Sequence, residues 1–145
     1  MLAQDIDFYE VFKISPTAMA LFTPDLEIID ANEAALQVVG RDLEEVIGRN
    51  LFEVVPKMPD AEGNPRWSAL EEAVASGRPQ VDRLHRGDVE DPAAPGVFQE
   101  RWWCTSVRPV RGLDGHVEVL EWSAREVTSI IEQFRSIERE YHHNA

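Results

Sequence analysis

Cysteine occurs once, at Cys104. No internal disulfide is possible, and a lone thiol suits a reducing compartment such as the cytoplasm. No apolar run approaches the ~20 residues needed to span a bilayer. The opening MLAQDIDFYE lacks the basic segment and long apolar core of a secretory signal. Positive charge is scarce: 14 Lys and Arg stand against 27 Asp and Glu, a formal net charge of −13. Phosphate backbones and anionic membranes should repel such a chain, because binding to them rests on Lys and Arg. The expectation is no nucleic-acid and no membrane partner for this segment, which leaves room for a DNA-binding domain elsewhere.

Catalytic signatures are equally absent. The chain has no G-x-S-x-G, H-E-x-x-H, phosphate loop or dinucleotide fingerprint. His85, His116, His142 and His143 have no metal-ligand spacing with Cys104. His142 and His143 belong to a solvated tail, and His85 and His116 read as exposed strand or turn residues rather than ligands. Glu44-Glu45 and Glu71-Glu72 are neighbours on helices and do not face each other, so they are poor acid–base pairs. Cys104 reads as a small hydrophobe rather than a redox sensor. No metal site and no catalytic residue is expected.

A chain of 145 residues fits one domain and can bury roughly two thirds of its unfolded surface without disulfide or metal. Its most informative stretch is 16–56. The apolar run from Thr17 to Thr23 is short enough for a buried strand, Thr23-Pro24-Asp25-Leu26 makes a turn, and Leu26 and Ile28 alternate with Glu27 in a second strand. Asn32 is placed to cap a helix that Gly40 ends in the left-handed region. Asp42 and Glu45 have capping-box spacing before a helix that Gly48 terminates, and Asn50 opens a third short helix closed by Pro56.

The run TPDLEIIDANEAALQVVGRDLEEVIGRNLFEVVP resembles the PAS (Per-Arnt-Sim) family at Pro24-Asp25, Ile28, Ala31-Asn32, Ala34-Ala35, Gly40, Glu45, Ile47-Gly48, Phe52-Glu53 and Pro56. A second stretch, SVRPVRGLDGHVEVLEWSAREVT, is similar to the family's last two strands and exit motif. Together the matches cover most of 6–128. The resemblance implies an α+β PAS fold: a five-stranded antiparallel sheet in strand order 2-1-5-4-3 with helices on one face. An N-terminal helix and a C-terminal linker helix should flank it, dividing the chain into 1–15, 16–125 and 126–145.

Within 1–15, Asp7 and Glu10 have capping-box spacing, with Ile6 and Val11 placed as a hydrophobic staple. Phe8, Val11 and Phe12 form a stripe that packs on its own domain or on a second subunit. Beyond a polar loop at 57–64, Asn64-Pro65 starts a long helix with Trp67, Leu70 and Val74 on one face, which Gly77 ends. A strand follows over 80–85, then a Pro-, Gly- and acid-rich loop over 86–97 without evident chemistry. Phe98 to Val110 reads as one strand. The family pattern turns Trp103, Thr105 and Val107 inward, and strand parity puts Gln99 and Arg101 on the same side. Asp114-Gly115 turns the chain into a last strand over 116–124.

Val127, Ile130, Phe134, Ile137 and Tyr141 recur at three- and four-residue intervals, an a/d stripe over two heptads. So short a helix is marginal alone and needs a partner: its own sheet or, because the spacing is nearer 3.5 than 3.6, the same helix in a second copy.

The resemblance also bears on cofactors. Flavin-binding light sensors of the family carry a reactive cysteine at the position of Leu51, so flavin-cysteinyl photochemistry is disfavoured. Haem sensors place a histidine on the long helix, and RWSALEEAVASG has none, so histidine-ligated haem is disfavoured as well. A pocket lined by Trp67, Trp103, Thr105 and Trp122 is the candidate ligand site, against a core that Trp122 fills outright. Glu126 and Thr128 match the exit motif, with glutamate for the usual aspartate. The implied function is a non-catalytic sensory module, homodimeric through its terminal helices. It would signal through the C-terminal helix to an output domain in cis or in trans: a histidine kinase, phosphatase, cyclase or transcription regulator. The alternative is a ligand-free interaction and dimerisation module. A small cone-shaped enzyme would need an Asp–His or Tyr–Asp pair, for which His85 and His116 are weak material.

Overall fold

The computed structural model describes residues 1–55, 67–91 and 93–144. A 3-10 turn at Ala3–Asp5 leads into α1 (Phe8–Ile14), whose first turn is capped by Asp7 accepting from the Glu10 amide at 3.2 Å. Strands β1 (Ala18–Phe22) and β2 (Ile28–Ala31) follow. Their connection is the Thr23–Leu26 turn, closed by the Leu26 amide donating to the Thr23 carbonyl at 2.8 Å. Leu26 is not the strand residue its alternation implied: it has φ 67 and is buried. A left-handed residue after the turn lets the strands re-pair, a place usually given to glycine. Here burial of the side chain opposes the backbone cost.

Three short helices come next: α2 (Glu33–Val39), α3 (Leu43–Val46) and α4 (Leu51–Val54). Asn32 caps α2, Gly40 ends it at φ 68, the Asp42 amide donates to Glu45 Oε1 at 3.3 Å, and Asn50 caps α4 by accepting from the Phe52 amide at 3.0 Å. Asn50 Nδ2 also donates to the Asp25 carbonyl at 3.1 Å, tying α4 to the hairpin turn. Pro56 as helix stop, the loop at 57–64 and the Asn64-Pro65 start lie outside the described residues.

α5 (Ser68–Ser76) ends at Gly77 in the left-handed region. It buries Ala69, Leu70 and Ala73, while Val74 is 43% exposed. The core stripe thus runs through alanines rather than Val74, because small residues let the helix lie close against the strands. β3 (Gln80–Arg86) follows. The stretch read as a plain loop holds β4 (Val89–Glu90), which pairs with β5 (Phe98–Gln99) in a separate two-stranded sheet. Phe98 to Val110 is therefore two strands, with a break at Glu100 and Arg101 before β6 (Trp102–Arg111). Gln99 and the half-exposed Arg101 do not join the inward set, since parity is lost at the break, whereas Trp103, Thr105 and Val107 are buried as expected. β7 (Val117–Glu126) and α6 (Thr128–Asn144) complete the chain.

The main sheet runs β2-β1-β7-β6-β3, antiparallel at every junction. This is the expected α+β architecture and strand order. Its inner face, with α2 to α5 against it, holds the core around Phe22, Leu70, Val107 and Leu120. On β7, Leu120 and Ala124 face in, as strand parity requires.

Candidate functional site

Between the helices and the inner face of the sheet lies a cavity of about 100 Å³. Trp67, Trp103, Thr105 and Trp122, the four residues singled out from sequence, all line it. Small residues make the room: Ala20, Ala31, Ala35 and Ala124 carry no side chain beyond Cβ into it. Trp122 narrows the space without closing it. Its ring lies 6.0 Å from that of Trp67 at 54°, a tilted pair of the kind aromatic quadrupoles favour. Leu51 is buried in the wall on α4.

One lining residue was missed. His85, read as exposed, is half-buried and lines the cavity, with Nε2 2.8 Å from Thr105 Oγ1. It pairs directly with Trp103 across β3 and β6, and residues opposite each other on neighbouring strands share a face. That register is a long-range property which no local pattern announces. Trp103 donates its indole N–H to the Gly87 carbonyl at 2.8 Å, closing the same wall. His116 is exposed, as expected, and Cys104 is half-buried on the strand's other side. Among the described residues no group of three His, Cys, Asp or Glu side chains converges as a metal site. No helix among them is long and apolar enough to cross a membrane.

The cavity wall and the outgoing helix meet on β6. Trp103 faces the cavity, while its neighbour Trp102 grips the start of α6: its amide donates to Thr128 Oγ1 at 3.0 Å, and its carbonyl accepts from the Val127 amide at 2.8 Å. Glu126 pairs with Arg101 at 2.6 Å. Glu126 and Thr128 thus tie the last strand, the outgoing helix and the start of β6 together. Two turns further on, Arg135 reaches back to Glu100 at 2.8 Å, with its guanidinium 5.4 Å from the centre of the Trp102 ring. Glu100 also accepts from the Trp102 indole at 3.0 Å and lies 3.3 Å from Arg86, which forms a two-point pair with Asp88. The Trp102 and Arg135 hydrogen bonds hold the Glu100 carboxyl below the usual carboxylate range. Along α6, Ile130, Phe134, Ile137 and Tyr141 are between 62% and 71% exposed, so these four do not pack on their own sheet, whereas Val127 at the head of the stripe is half-buried. On α1, Phe8 and Val11 are exposed and Phe12 is half-buried.

A five-stranded antiparallel sheet, a helical cover over an apolar cavity and a helix leaving from the last strand define one α+β architecture. A family model described as PAS fold matches residues 12–130, and the chain belongs to that family, whose members are in general sensory and signalling modules. No functionally curated protein matches it. Among solved structures it resembles an RNA-binding light-oxygen-voltage receptor (21% identity, TM-score 0.66, 93% of this chain and 36% of that one). It also resembles a light-oxygen-voltage domain studied with a flavin analogue (16%, TM-score 0.61, 97% and 99%). A third likeness is to the PAS domain of a protein from Colwellia psychrerythraea (16%, TM-score 0.59, 84% and 95%). This chain therefore spans about a third of the receptor's length. The disfavouring of flavin draws no support from these neighbours, two of which are light-oxygen-voltage proteins.

Proposed function

We propose that this domain is a non-catalytic sensor that converts a change in its cavity, or at its sheet, into a change in how α6 is held. The observation that carries the reading is the pair Trp102 and Trp103: adjacent residues on one strand, one holding the outgoing helix and the other lining the cavity. A rotation of the Trp103 wall cannot leave the Trp102 anchor untouched, because the two share a peptide unit.

The unpartnered stripe on α6 supports homodimerisation through the terminal helices, since two heptads are too few to stand alone in water. The dimer would pass the change to an output domain in cis or in trans, a histidine kinase, phosphatase, cyclase or transcription regulator. The receptor neighbour binds RNA. With a net charge of −13 this segment is unsuited to that task, so such an output would lie in another domain. Removing 126–145 and measuring mass by light scattering tests the dimer; an unchanged mass would count against it.

The modest cavity favours a second reading, a ligand-free interaction module, because drug-sized molecules occupy roughly 300–1,000 Å³. Denaturing the purified protein and analysing the supernatant by mass spectrometry separates the two. A stoichiometric small molecule supports the sensor, and repeated absence supports the interaction module.

A further inference from the structure

We infer that the cavity takes a compact, uncharged organic molecule with one hydrogen-bond acceptor, and that the indole N–H of Trp67 is the donor that orients it. The inference rests on the sensory reading above and narrows it to a ligand class.

Three observations lead there. The first is the state of the donors. Thr105 Oγ1 and His85 Nε2 are bonded to each other, and the Trp103 indole N–H is taken by the Gly87 carbonyl. The Trp67 indole Nε1 is buried with no hydrogen-bond partner among the described residues. A buried donor without an acceptor is destabilising and rare in native structures, and its commonest accounts are strain or a partner from outside the chain. The Trp122 ring packs against the Trp67 ring at 6.0 Å, and both line the cavity.

The second is charge. No Asp, Glu, Lys or Arg stands among the described residues lining the cavity. An ionised molecule would lose its hydration there with no fixed opposite charge from these residues in return, which disfavours carboxylates and ammonium ions.

The third is size. At about 100 Å³ the space has room for a single small ring or short branched chain. The alanines of the sheet and of α2 leave flat apolar walls suited to such a body.

The experiment uses three probes of similar size on the full chain: acetophenone, which has a ring and one acceptor; cumene, which has the shape without the acceptor; and benzoate, which carries the charge. Indole N–H resonances of the four tryptophans are followed by two-dimensional NMR during each titration, with Trp67 identified by its disappearance in Trp67→Phe. Acetophenone is expected to move the Trp67 indole resonance downfield saturably and to bind about three- to tenfold more tightly than cumene, the worth of one net hydrogen bond. Benzoate is expected to bind at least tenfold more weakly than acetophenone. Trp67→Phe should make acetophenone and cumene equal. Should that variant not fold, the comparison of probes on the unaltered chain decides alone. Equal binding of acetophenone and cumene with an unmoved Trp67 resonance overturns the donor assignment and leaves the sensory reading standing. Benzoate binding as well as acetophenone overturns the exclusion of charge. Failure of all three probes to move Trp67, Trp103 or Trp122 overturns this inference together with the ligand-sensing reading. A visible chromophore co-purifying in the cavity overturns the ligand class alone.

Discussion

Asn32 is fully buried and uses its whole hydrogen-bonding capacity. Oδ1 accepts from the Met19 and Ala35 amides at 3.0 Å each, and Nδ2 donates to the carbonyls of Phe12 at 3.0 Å and Thr17 at 2.8 Å. One side chain thereby caps α2 and pins the exit of α1 to β1. Asn32→Ala is expected to destabilise the domain by about 3–5 kcal/mol, since buried amides and carbonyls lose partners at once; urea unfolding measures it. Glu121 behaves oppositely. It lies 3.8 Å from Arg108, yet burial raises its carboxyl above the usual range, and the arginine only partly opposes this. Between the unfolded value and the raised folded one, the native state binds more protons than the unfolded state, so stability from this group falls as pH rises through that window. Glu121→Gln should therefore raise the urea midpoint at pH 7 relative to the parent, with the advantage shrinking as pH falls through that window toward 4.5, the ordinary value.

At the scale of elements, the clasp from Arg135 to Glu100 and Trp102 is what holds α6 beyond its first turns. Exposed ion pairs contribute about 0.2–1 kcal/mol and an exposed cation–π contact a similar amount. Arg135→Ala should then speed amide hydrogen exchange in the middle of α6 by roughly fivefold, with the amides of β6 and β7 unchanged. If exchange rises equally in the sheet, the clasp is a general stabiliser and not a latch. The same scale shows what a reader of the sequence could see. Caps at Asn32, Asp42 and Asn50 and the left-handed exits at Gly40 and Gly77 are local signals, and each is where the spacing put it. The inward turn of Trp103, Thr105 and Val107 followed from parity and family pattern. What stayed hidden depends on pairing between distant segments. His85 enters the cavity because β3 registers against β6, and Arg135 finds Glu100 because α6 folds back over a strand break. Val74 misled because hydropathy ranks valine above alanine, whereas close helix-to-sheet approach selects Ala73.

For the whole molecule, a net charge of −13 sets the terms of any self-association. Two copies brought together through α6 repel over a distance comparable to the screening length, ~10 Å at 0.1 M salt. Added sodium chloride should therefore tighten the dimer, read as a rise in mass by light scattering between about 0.05 and 0.5 M. The Arg135 clasp should loosen over the same range, because it joins opposite charges. The opposed salt trends separate contacts between subunits from contacts within one.

The alternation of Trp102 and Trp103 along β6 also constrains how this domain can change over evolutionary time. A strand's two sides exchange with each added residue, so one insertion ahead of Thr105 would point the helix anchor into the interior and the wall residue outward. Descendants that lengthen this edge of the domain are restricted to even steps, and an odd one would disconnect what is felt from what is reported while leaving the fold itself intact.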